Sequence, residues 1–319
     1  MNFILMEMTF LRYFIPLISE GNKCNKKCNV FITNVRKYTN CKNNMGLLEK
    51  FSKEYDFNLF DIEEIENYKG LTFIIEGAGI NYLNENHKIV ALTYMSDFSV
   101  SYGRYIDKVD NVILPSKKCA EHYKCISPKN LYLGSPKYDV TFDKKEIYKK
   151  YDLPKDKKIL LSIAPKNRYK GGVKVEELYS KFRELGYFVV TKTRGKDPIH
   201  GGERGNKHLV DGSWYPHSTL EILSVADLVL NFGSSGIKEC VMYRVPIINF
   251  RIKPHILFPF LYDYDYVKQM GVNDSVEDFK EAIEDFESKD LEKEFDKSIK
   301  ENLFNNKYVC KNILKEVLK

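Results

Sequence analysis

Short apolar runs alternate with helix-patterned stretches along most of this chain, and that alternation restricts the fold more than any other feature. "NFILME" reads as a strand. "TFLRYFIPLISEGNK" reads as a helix, with Phe10, Leu11, Phe14, Leu17 and Ile18 at helical spacing. "NVFITN", "LTFIIEG", "KIVALTY", "NVILPS" and "NLYLGS" are further strands, and "GLLEKFSKEY" and "KKCAEHYK" further helices. The strand runs are apolar throughout rather than alternating, as expected where a parallel sheet is covered on both faces. The expectation is an α/β protein.

The pattern breaks at 136–158, "PKYDVTFDKKEIYKKYDLPKDKK", a charged, proline-punctuated stretch that reads as an interdomain connection with one short helix. A second series follows: "KILLSIA", "VKVEELYSKFRELG", "YFVVTKT", "HSTLEILSVA", "DLVLNF", "SGIKECVMYR" and "VPIINF", then a helical tail rich in Lys and Glu from about 275. No internal sequence repeat is evident; what recurs is architecture. Two domains are expected, 1–145 and 146–319, with the terminal helices packing back towards the first.

The length of 319 residues suits two domains, and the composition, 43% hydrophobic and 29% charged, is globular. The formal charge of +6 fits an anionic ligand without requiring nucleic acid. Cys24, Cys28 and Cys41 cluster, but no His lies between Cys24 and Cys41 to complete a zinc set, so free thiols and no metal are expected. The apolar N-terminus is interrupted by Glu7 and Arg12 and lacks a basic leader and a cleavage site. No uncharged run reaches the roughly 20 residues a membrane span needs. A cytoplasmic protein with no transmembrane segment is expected.

The stretch "NFGSSGIKEC", Asn231 to Cys240, carries the sharpest chemical signal. In doubly wound sheets ligands bind at the carboxyl edge of the strands. Gly233, Ser234, Ser235 and Gly236 end a strand and open a helix there. Small residues admit a ligand close to the backbone, a helix N-terminus offers N–H groups and a positive dipole end, and the serines add hydroxyls. That suits a pyrophosphate. Glu239, one turn in, is placed to accept from a ribose diol. A plain turn with a serine cap gives the same sequence, and both readings stay open.

The longer segment "LEILSVADLVLNFGSSGIKECVMYRVPIINFR" resembles the donor-binding segment of the GT-B superfamily of nucleotide-sugar glycosyltransferases, with a pattern like that of UDP-N-acetylglucosamine 2-epimerases and CDP-glycerol glycerophosphotransferases. "YGRYIDKVDNVILPSKKCAEHYKCISPKNLYLGSPKYD" is similar to the epimerase-like segment ending in Gly-small-Pro-x-x-Asp, and "FLRYFIPLISE" resembles the first helix of GT-B N-domains. The resemblance implies two Rossmann-like domains facing across a cleft, the first for the acceptor and the second for the donor. It implies metal-independent transfer of a sugar from a nucleotide diphosphate, UDP-linked by the nearest pattern, with no cofactor besides that substrate. Ser234, Ser235 and Gly236 would hold the diphosphate and Glu239 the ribose. Lys166, Arg168 and Lys170 in "APKNRYKGG", and Lys192 and Arg194 in "VVTKTRGKDP", would neutralise charge on the leaving diphosphate. Tyr215 or Trp214 in "DGSWYPHS" would stack on the base. Solvated surface charge and simple packing are the alternatives for these groups.

The chain departs from both relatives. The His-Arg motif of hydrolysing 2-epimerases is replaced by "PKNRYKG", and the Trp-His-Gly motif of the CDP-glycerol group has no counterpart in "LTYMSDF". Glu76 and Asp97 match the epimerases' N-domain acids only loosely. An inverting transfer needs a general base for the acceptor hydroxyl. Asp97, following the strand "KIVALTY", is the first candidate and Glu76 the second; a helix N-cap is the other role open to Asp97. "YDYDY" at 262–266 contains a D-x-D spacing but sits in an aromatic segment and reads as packing. The expected partners are the nucleotide-sugar donor and an acceptor glycan, lipid or modified nucleic acid, with a second copy of the chain left open. A DNA-glycosylating enzyme would use Lys23, Lys26, Lys27, Arg36, Lys37 and Lys42, with Tyr38 interleaved. A sugar-nucleotide-binding module without catalysis is a third option.

Overall fold

The computed structural model describes residues 1–33, 40–94, 98–163, 175–193, 205–210, 213–250, 258–303 and 308–319. The chain divides into two compact units, Met1–Val140 with Glu301–Lys319, and Thr141–Lys300. The unit boundary thus falls a few residues ahead of 145/146, before the helix of the charged connection.

The first unit contains β1 (Asn2–Leu5), α1 (Leu11–Lys23), β2 (Asn29–Ile32), α2 (Met45–Tyr55), β3 (Asn58–Asp61), β4 (Gly70–Ile75), β5 (His87–Leu92), α3 (Phe98–Tyr105), β6 (Asn111–Leu114), α4 (Lys117–His122) and β7 (Asn130–Tyr132). The second contains α5 (Lys144–Lys150), β8 (Lys158–Ile163), α6 (Val175–Glu184), β9 (Tyr187–Thr193), β10 (Lys207–Val210), α7 (Ser218–Leu223), β11 (Leu228–Asn231), α8 (Ile237–Met242), β12 (Ile247–Phe250), β13 (Val267–Met270), α9 (Val276–Glu287) and α10 (Leu291–Ser298). The terminal helix α11 (Val309–Val317) returns to the first unit, against α1.

Both sheets are parallel, in the orders β3-β2-β1-β4-β5-β6-β7 and β10-β9-β8-β11-β12-β13. Each is doubly wound, and strand order reverses between β1 and β4 in one and between β8 and β11 in the other. The central strands are buried along their whole length, which explains their largely apolar, non-alternating runs. Phe3 stacks on Phe73 at 5.2 Å and meets Phe14 of α1 at 5.3 Å. In the second unit Phe182 and Phe279 tie α6 to α9, with ring centroids 4.9 Å apart.

Aspartates set the register of both sheets in the same way. Asp227, just ahead of β11, accepts from Ile159 N–H of β8 at 2.6 Å and donates its own N–H to Ile159 O at 2.8 Å. Asp110, ahead of β6, makes the same pair with Ile89 of β5. These groups lie at the amino edge, so Asp227 before β11 aligns strands and stands away from the carboxyl edge.

Three strands escaped the sequence reading: β3, β10 and β13. All three are sheet edges. An edge strand has one hydrogen-bonded neighbour and a less covered surface, so it needs no continuous apolar run; β3 is half-buried to exposed and β13 reads "VKQM". The "YDYDY" segment packs as expected: Tyr266 is fully buried, stacks on Phe295 at 4.5 Å and shares a 2.7 Å hydrogen bond with Ser298. All seven cysteines are free thiols, and only Cys24 is exposed. Among the described residues no helix is long and apolar enough to cross a membrane.

Candidate functional site

The Gly233–Gly236 turn leaves the carboxyl end of β11, at the reversal of the second sheet. Its two glycines are required for different reasons. Gly233 has φ +66°, a left-handed conformation that a side chain disfavours, although a Cβ there would touch nothing. Gly236 has ordinary φ, but a Cβ would lie 2.8 Å from Cδ1 of Ile163, the last residue of β8. The second glycine therefore lets the start of α8 approach the neighbouring strand.

One part of the sequence expectation is corrected. The helix after the turn has six residues, too few for a strong macrodipole, and most of the turn's N–H groups are already used. Gly233 N–H donates to Asn249 Oδ1 at 3.3 Å, Ser234 N–H to Asn231 Oδ1 at 3.1 Å, and Gly236 N–H to Ser234 Oγ at 3.3 Å. Ser235 N–H has no partner among the described residues. What the half-buried turn can offer a ligand is that N–H and the two serine hydroxyls. Asn231 and Asn249, both fully buried, were missed as contributors. The only sequence signal for them was a polar residue at the end of one buried strand and within the next.

Glu239 lies in the first turn of α8 and is buried, at 7% exposure. Its charge, after burial, holds the Cys240 thiol well above the usual range. Tyr243, at the end of α8, has a buried hydroxyl without a hydrogen bond among the described residues. Burial raises its phenol, and Tyr215, Glu221 and Glu239 raise it further. The fold thus gathers Tyr215, Glu221, Tyr243 and Glu239 around α7 and α8. Glu221 is itself buried and accepts from Lys150 Nζ at 2.7 Å and from the Tyr151 hydroxyl at 2.6 Å, which fastens the connection helix α5 to α7. Trp214 is buried, whereas Tyr215 is half-buried.

Lys192 stands near the carboxyl end of β9, and its Nζ donates to Thr219 Oγ1 of α7 at 2.6 Å. It shares the carboxyl edge with the turn. β8 lies between their strands, a separation of about 10 Å at the usual strand spacing. Lys166, Arg168, Lys170 and Arg194 lie outside the described residues, as do Asp97, Arg36, Lys37 and Tyr38.

In the first unit Glu76 directly follows β4 in a left-handed conformation, φ +53°, and its Oε1 accepts from Tyr94 N–H at 3.3 Å. Glu7, beyond β1 and across the reversal from β4, was not singled out from the sequence. It is 5% exposed and accepts from Thr9 Oγ1 at 3.1 Å. Burial, and next the charge of Glu7, raise the Cys41 thiol to about 12. The basic residues named for nucleic acid do not fall on one edge. Lys23 ends α1 and Lys26 and Lys27 follow it before β2 at the amino edge, while Lys42 precedes α2 and pairs with Asp61 at 3.6 Å.

Two doubly wound parallel sheets in tandem, with a small-residue turn at the reversal of the second, define the GT-B fold, and the chain has that fold. No family model matches the sequence, and no curated protein is similar to it in sequence. Solved structures are similar over almost the whole chain. The UDP-GlcNAc 2-epimerase from Neisseria meningitidis, bound to UDP-GlcNAc, superposes with a TM-score of 0.68 at 14% identity, covering 99% of each chain. The wall teichoic acid polymerase TagF gives 0.65 at 12% identity, covering 99% of this chain and 88% of its own. A glycosyltransferase from Rickettsia africae ESF-5 gives 0.54 at 14% identity, covering 100% of this chain and 98% of its own.

Proposed function

We propose that the chain is a glycosyltransferase that moves a sugar from a nucleotide diphosphate donor to an acceptor hydroxyl. The observation that carries this is the conjunction, at the reversal of the second sheet, of the Gly233–Gly236 turn with buried Glu239 one helical turn beyond it. Ser235 N–H and the Ser234 and Ser235 hydroxyls bind the diphosphate, Glu239 accepts from the ribose diol, and Tyr215 stacks on the base. Lys192, together with Lys166, Arg168 and Arg194, neutralises the charge that develops on the leaving diphosphate. Asp97 deprotonates the acceptor hydroxyl, with Glu76 as the alternative base. No metal takes part in this scheme, and the reaction is assigned to the cytoplasm.

A second reading is favoured by the likeness to the Neisseria enzyme: epimerisation of UDP-N-acetylglucosamine rather than transfer. Against it stands the sequence "PKNRYKG", which lacks the histidine of hydrolysing epimerases. Calorimetric titration against UDP, CDP, GDP and ADP tests the donor site; UDP is expected to bind, and no binding by any of them at millimolar concentration ends the proposal. Incubation with UDP-N-acetylglucosamine separates the two reactions, since release of free N-acetylmannosamine favours the epimerase.

A further inference from the structure

Beneath the Gly233–Gly236 turn lies a run of amide side chains that the donor scheme leaves without a task. Asn231 of β11 and Asn249 of β12 are in register and fully buried. Each gives an oxygen to a turn N–H, Asn231 to Ser234 and Asn249 to Gly233. That fixes both amide orientations, because an amide nitrogen cannot accept. Asn231 Nδ2 is then left to donate to Asn249 Oδ1 at 2.9 Å and to the Tyr262 hydroxyl at 3.1 Å. Asn249 Nδ2 donates to Gln269 Oε1 of β13 at 2.7 Å, again in register. The hydrogen bonds run in one direction across three strands, and each polarises the next. The polar atoms of Asn231 and Asn249 all have partners, so the ladder has one arrangement and holds the turn in one arrangement.

We propose that Asn231 and Asn249 are positioning residues for the donor diphosphate. They draw the N–H groups of Gly233 and Ser234 into the sheet and leave Ser235 N–H and the serine hydroxyls as the groups that meet phosphate oxygens. Gln269 closes the ladder at the sheet edge. The inference rests on the donor-site reading and adds to it a set of residues that never touch the ligand.

The test is the ratio of UDP to uridine affinity, measured by ligand-observed NMR on the full chain. Asn249→Asp keeps an oxygen for Gly233 N–H, loses the donation to Gln269 and places a buried negative charge under the turn. It should lower the UDP-to-uridine ratio by about 10- to 100-fold. Gln269→Leu alters an exposed edge residue, is expected to fold, and should shift the ratio the same way by a few-fold; it carries the test if Asn249→Asp does not fold. A folded variant whose ratio stays at the wild-type value overturns the positioning role, because general loosening of the unit would weaken both ligands alike. If the wild-type protein binds no nucleoside diphosphate, the donor reading itself fails and the inference falls with it.

Discussion

Glu239→Gln gives the most direct test of the donor site. The carboxylate is 7% exposed, so any hydrogen bond it accepts from a ribose diol is shielded from water. A hydrogen bond to a charged group contributes about 1.5–3 kcal/mol. The amide keeps one acceptor, replaces the other with a donor and removes the charge, so about one such bond is lost. The expected loss of UDP affinity is therefore about 10- to 150-fold. The same change should not weaken the fold, because the side chain keeps its size while a buried charge is removed. Calorimetry with UDP and with 2′,3′-dideoxy-UDP supplies the control. The wild-type protein should prefer UDP by roughly that factor, and the variant should bind both about equally. Equal losses for the two ligands, or a variant that binds UDP as tightly as wild type, would refute a ribose contact at Glu239.

The other expectations concern backbone, thiols and the base. Gly233→Ala forces a side chain into φ +66° and should cost about 1–2 kcal/mol in urea unfolding; Gly236→Ala should cost less, because only the flexible tip of Ile163 must move. Of the seven cysteines, Cys24 alone should react quickly with a thiol reagent in the native protein, and Cys24→Ser should abolish that fast phase. The Cys41 thiol, raised from 9.0 to about 12 in the folded state, keeps its proton where the unfolded chain loses it. Its contribution to stability is thus complete below pH 9 and lost as pH rises towards 12, and Cys41→Ala should flatten that part of a pH–stability curve. Asp97→Asn should reduce turnover by about 100- to 10,000-fold with donor affinity unchanged; near-normal turnover would place the base elsewhere.

The interior of both sheets was legible because a strand with neighbours on both sides and helices on both faces has to be mostly apolar, its few polar residues being paired with one another. β1, β2, β11 and β12 show this. The edge strands β3, β10 and β13 carry no such requirement, and their polar sequences hid them. The small-residue turn was legible for a similar reason: glycine at Gly233 answers a backbone conformation and glycine at Gly236 a close approach, and both needs are local. The internal use of its N–H groups was not legible. It depends on Asn249 and Gln269, which reach the turn only through strand pairing. Glu7 was hidden in another way. A glutamate beside a strand is ordinarily solvated, and only the completed sheet shows it buried next to Thr9 and Cys41.

The two sheets use polar ladders to different ends, and the edge decides which. In the first sheet Asn58, Asn29, Asn2, Thr72 and His87 join across β3, β2, β1, β4 and β5 at the amino edge. That ladder runs in a line from Asn58 to His87, whose buried Nε2 has no hydrogen-bond partner among the described residues, and it also donates to the backbone of Lys69 and Gly70, so it ties strands together. In the second sheet the ladder sits at the carboxyl edge, where the strands hand over to the loops. Two of its oxygens are directed to a turn, and both amide nitrogens donate away from it, Asn231 Nδ2 to Asn249 Oδ1 and the Tyr262 hydroxyl and Asn249 Nδ2 to Gln269 Oε1. Polar side chains in register on buried parallel strands must satisfy one another, since water cannot reach them. At the amino edge that requirement yields register alone. At the carboxyl edge it fixes the Gly233–Gly236 turn as well.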